Sequence, residues 1–94
     1  MGSQQYRTEL ERKRNQRVQA EKKAGEHRIK ESKKRAEADK ARQDAEKATN
    51  TATQKSKQNR ASQRYKEAAS AGIEANRWEV KASEYRKKES DLQT

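Results

Sequence analysis

Thr49-Asn50-Thr51-Ala52-Thr53-Gln54 decides how this chain folds. Long stretches dense in Ala, Lys, Arg, Glu and Gln run on both sides of it, and none of the 94 residues is proline. Those are the strongest helix formers, whereas a proline inside a helix costs about 3 kcal/mol. The quoted residues lose the charge balance of their surroundings, and four of the six favour turns or caps. Thr51 followed by Gln54 fits a capping box, in which hydroxyl and amide each satisfy an orphan backbone N–H. The reading is all-α: an antiparallel two-helix coiled-coil hairpin forming a single module over residues 1–94. Helix 1 is expected over about 5–48, the turn at 49–53 and helix 2 over about 54–92. The alternative is one long helix in a dimeric coiled coil.

Steps of three and four support two helices. Ala61, Arg64, Ala68, Ala71, Ala75, Trp78, Ala82, Tyr85, Glu89 and Leu92 form one ladder, and eight of the ten are apolar. Tyr6, Leu10, Lys13, Arg17, Ala20, Ala24, His27, Glu31, Lys34, Ala38, Ala41, Ala45, Ala48 and Ala52 form another. Sustained 3.5-residue repeats are a coiled-coil signal. The ladders are out of phase across the turn, since stepping on from Ala52 reaches Asn59 and Ser62 rather than Ala61.

Folding back at the turn places Arg17 opposite Ala82, Ala20 opposite Trp78 and Ala38 opposite Ala61. A second stripe is expected beside the first: Val18, Gly25, Ile29 and Ala36 against Val80, Ile73, Ala69 and Ser62, with Gly25 leaving a hole for Ile73. The alanines, Ala52 included, line the turn end, while Leu10, Val18, Trp78, Val80, Tyr85 and Leu92 gather where the termini leave. The interaction seam is therefore assigned to Leu10, Val18, Gly25, Ile29, Ile73, Trp78, Val80 and Tyr85. Two apolar stripes exceed what one partner helix needs, and the surplus reads as a surface for self-association or for docking another domain.

Composition excludes much else. Six residues are Leu, Ile or Val and none is Phe, so no large core with a deep pocket can form. No cysteine is present, which removes disulfides, thiolate metal sites and thiol catalysis. His27 is the only histidine, and with Glu26 and Glu31 on a solvated helix it makes a poor metal site. Without a second His or a Cys there is no base-activated nucleophile, so the chain is read as no enzyme with no cofactor. No apolar run nears the roughly 20 residues of a membrane span, and a cytoplasmic location is expected. Leu92 lies on the ladder near the end without a stop signal, so the chain reads as part of a larger protein.

Charge is the remaining hint. The net charge is +10, and residues 48–66 hold Lys55, Lys57, Arg60, Arg64 and Lys66 with no acid. The expected register brings Lys33, Lys34 and Arg35 beside Arg64 and Lys66 as a positive patch. Such a patch attracts nucleic-acid phosphates, anionic lipid or an acidic protein. Most of the charge nevertheless serves the helices: Glu9–Lys13, Glu26–Lys30, Glu31–Arg35 and Glu84–Lys88 are i,i+4 pairs.

Lys33 to Ala48, KKRAEADKARQDAEKA, is similar to the Ala/Lys/Glu-rich helices of long bacterial spacer proteins such as the TolA stalk. The whole pattern resembles the Ala-rich antiparallel hairpins that open some bacterial multidomain signalling or defence proteins. Both resemblances rest on composition and periodicity across most of the chain and transfer no residue roles. They imply a spacer or assembly role. The expected function is a non-catalytic coiled-coil assembly module; the alternatives are a basic helical module binding nucleic acid non-specifically, and an extended spacer.

Overall fold

The computed structural model describes residues 3–93. It contains two α-helices, α1 (Ser3–Lys47) and α2 (Thr51–Gln93), which fold back on each other as a hairpin. The continuous-helix alternative does not hold. The link is three residues, 48–50, two shorter than expected, because Asn50 rather than Thr51 begins the second helix. Its side-chain Oδ1 accepts from the backbone N–H groups of Ala52 (2.8 Å) and Thr53 (3.2 Å), while its carbonyl accepts from Gln54 N. Asn is the stronger N-cap, and standing one position earlier its side chain takes Ala52 and Thr53 N–H while its carbonyl takes Gln54 N–H, the donor expected to go to the Thr51 hydroxyl. At the other helix end Ala48 N donates to Ala45 O.

The two ladders are the seam. Every rung from Leu10 to Ala48 and from Ala61 to Leu92 is buried or half-buried. Tyr6 and Ala52 are exposed, Ala52 because it belongs to the first turn of α2 rather than to α1. Backbone packing divides the hairpin into two compact units: an end unit, Met1–Glu26 with Glu74–Thr94, and a turn unit, His27–Ile73. The end unit buries Ala20, Ala24, Ala75, Ala82 and Glu89. The turn unit buries Ala38, Ala41, Ala45, Ala61, Ala68 and Ala71, with Gly72. Methyl groups at these buried rungs let the helices approach closely and leave little space to fill, which is how a chain this poor in large apolar side chains packs at all.

The cross-helix register differs from the expected one. Arg17 reaches Glu89 instead of Ala82, Glu37 pairs with Arg64, and Tyr65 donates to Asp39. Each partner on α2 lies further along the chain than expected. The exposed first residues of α2, Thr51 to Thr53, precede its entry into the seam, which delays every later rung.

Candidate interaction surfaces

The second stripe is not beside the first. Ile29 stands two residues from both His27 and Glu31, Ile73 two from Ala71 and Ala75, and Val80 two from Trp78 and Ala82. At about 100° per residue, two steps from a seam residue lead to the back of the helix. Ile29 is accordingly 72% exposed, Val80 57%, Ile73 55% and Val18 50%. The expected pair Val18–Val80 is therefore not buried in the hairpin, and Ile73 is exposed rather than seated in a hole. A Cβ built on Gly25 meets nothing within 4 Å, so this glycine makes no room for an internal neighbour. The tight glycine is Gly72, where a Cβ would approach the Glu31 carboxylate at 2.5 Å.

Of the eight residues assigned to the seam, only Leu10, Trp78 and Tyr85 are in it, each half-buried. In the end unit Trp78 has two ammonium groups on its ring, Lys23 across the seam and Lys81 on its own helix, both 4.4 Å from the centroid. Lys88 lies 5.8 Å from the Tyr85 centroid. These lysines cover aromatic surface with their stems and add cation–π attraction. Below them Glu89, 7% exposed, accepts from Arg17 Nε and lies 3.7 Å from Arg14 Nε. Glu21 accepts from Arg86 (2.8 Å) and Arg17 (3.1 Å). The Arg86 bond first, then that from Arg17, holds the Glu21 carboxyl below its ordinary value. The hydrogen bond to Glu89, then that to Glu21, raises Arg17.

In the turn unit the expected basic patch is interleaved with acids. Lys34 lies 3.4 Å from Glu67, Arg64 pairs with Glu67 (2.8 Å) and Glu37 (3.4 Å), and Arg35 lies 3.6 Å from Glu31. The expected register brings Lys33, Lys34 and Arg35 beside Arg64 and Lys66. The shifted register puts Glu37 and Glu67 between them. Lys33, Lys55, Arg60 and Lys66 are exposed and Lys57 half-buried. Burial raises Glu67, but Arg64 and Lys34 together outweigh it and leave the carboxyl below its ordinary value. Tyr65 donates to Asp39, and that bond, with burial, raises the phenol.

Shallow grooves run along the surface of the described residues. One of about 320 Å³ is lined by Arg14, Arg17, Arg86, Glu89, Ser90 and Gln93. Among the described residues no group of three or more His, Cys, Asp or Glu is placed to hold a metal ion, and no helix is long and apolar enough to cross a membrane. Neither a protein-family model, nor a curated protein, nor a solved structure matches this chain.

Proposed function

We propose that this hairpin is a non-catalytic assembly module acting in the cytoplasm, a scaffold that docks protein through the backs of its helices. One observation carries the reading. Four of the six Leu, Ile and Val residues stand outside, 50–72% exposed, while alanine fills the seam. A monomer gains more from the reverse arrangement, since burying a Val- or Ile-sized side chain is worth about 1.5–3 kcal/mol. Scattered surface aliphatics are ordinary, but a chain with so few that places most of them outside is spending its hydrophobic surface on contacts beyond itself. The test is photo-crosslinking in cells, with the reactive residue at Ile29 or Ile73 and a control at Lys55. Adducts of discrete mass from the first two and none from the control are expected. No adduct from either, or equal adducts from all three, contradicts the reading.

The net charge of +10 supports a second reading, non-specific binding of nucleic acid. It requires affinity for any duplex to fall steeply with salt, by about 0.9 log units per phosphate contact for each log unit of salt. Duplex binding that keeps its strength across moderate salt contradicts it.

A further inference from the structure

The end unit carries two outer faces of complementary character. On the outward flank of α1, each one residue on from the seam rungs Leu10 and Arg17, stand Glu11 and Val18, with Arg12 and Glu26 further round; on the back of α2 stand Val80 and Lys87, with Arg77 and Asp91 at the rim. All eight are exposed.

Lay α1 of one molecule antiparallel on α2 of a second, with Val18 on Val80. Glu11 precedes Val18 by one heptad and Lys87 follows Val80 by one heptad, so these opposite charges meet on the same line. The rim follows the geometry of the hairpin's own seam, where Glu21 and Arg86 pair while flanking Ala20 and Ala82. The equivalent rim positions outside are Arg12 with Asp91 and Glu26 with Arg77. Three opposite-charge pairs thus fall in one register with the valines.

We infer that the partner of the end unit is a second copy of this chain, its α2 back seated antiparallel on the α1 flank through Val18–Val80, Glu11–Lys87, Arg12–Asp91 and Glu26–Arg77. This rests on the assembly reading and names its occupant. The apolar contact is small, so single contacts are weak and the charges set the register more than the affinity. The two faces are different patches on different helices and share no residue, which makes the contact heterologous. It repeats from copy to copy instead of closing as a two-fold dimer.

Two single-cysteine chains, Val18→Cys and Val80→Cys with different mass tags, test this when mixed under mild oxidation. The mixed Val18→Cys/Val80→Cys disulfide is expected beyond its statistical share. Adding Glu11→Lys to the first chain slows its formation roughly two- to fivefold, because each attraction turned to repulsion is worth a few tenths of a kcal/mol in either direction. Adding Lys87→Glu to the second restores it. Same-face disulfides in excess, or rates indifferent to both reversals, overturn the register and with it the proposal. A complete absence of disulfide overturns self-docking, whereas adducts from the cell experiment under those conditions leave the assembly reading standing with a different partner.

Discussion

Glycine 25 and tryptophan 78 show how local surroundings set the effect of a substitution. Gly25 is helical and its Cβ position is open, so Gly25→Ala recovers helix propensity without a clash. The expected gain is about 1 kcal/mol in chemical denaturation. At Gly72 the same change displaces the Glu31 carboxylate from its pairs with Arg28 and Arg35, and the gain is expected to shrink or reverse. Trp78 is half-buried and covered by Lys23 and Lys81, so Trp78→Ala is expected to cost about 2–3 kcal/mol, less than the roughly 3–5 of a fully buried ring. Tyr65 works through the proton it donates to Asp39. Its raised folded value means that this stabilisation is complete below the ordinary tyrosine value of about 10 and is lost as pH rises through the higher folded value. In a variant that keeps Tyr65 as its single tyrosine, tyrosinate absorbance should therefore appear above the ordinary tyrosine range, and Asp39→Asn should bring it back.

At the scale of elements, the helices and seam were open to reading because alanine at 3,4 spacing has one stable use in a chain this polar. What the sequence left obscure is equally specific. Asn50 and Thr51 both cap helices, and only the realised start shows that Asn50 does so, shortening the link. Register was hidden because alanine rungs are alike: sliding one ladder by a rung still puts methyl on methyl. The long side chains choose between such registers, as Arg17 does with Glu89 and Glu37 with Arg64. The outer stripe was misplaced for a different reason. Val18, Gly25, Ile29 and Ala36 do recur at matched intervals with Val80, Ile73, Ala69 and Ser62, but the angle of that stripe to the seam follows from counting residues off the main ladder, and it points outward. The seam makes a sharp prediction. Ala38 and Ala75 are 0% exposed, so Ala38→Leu or Ala75→Leu should destabilise the hairpin by about 1–3 kcal/mol although leucine favours helix as well. Asn50→Ala should cost about 1 kcal/mol through the lost cap.

For the whole molecule, charge and packing share the work. Glu9, Glu21 and Glu67 are held below their ordinary values, Glu9 chiefly by Arg12 and Glu21 chiefly by Arg86. Their stabilisation is complete above the ordinary carboxylate value of about 4.3 and fades as pH falls through the lower folded values. Melting temperature should therefore hold steady toward neutral pH and drop in stronger acid, and added salt should flatten that drop.

Aliphatic side chains that stand outside the fold carry the proposed function. Replacing Val18, Ile29, Ile73 and Val80 together with Ser tests it, because Ser, Val and Ile have nearly equal helix propensity. Thermal unfolding is followed by circular dichroism at low concentration, where association contributes nothing. The fourfold variant is expected to melt with the wild type, while Ala75→Leu melts lower. A fourfold variant that melts far below the wild type would place those side chains in the interior and contradict both the outward stripe and the function drawn from it.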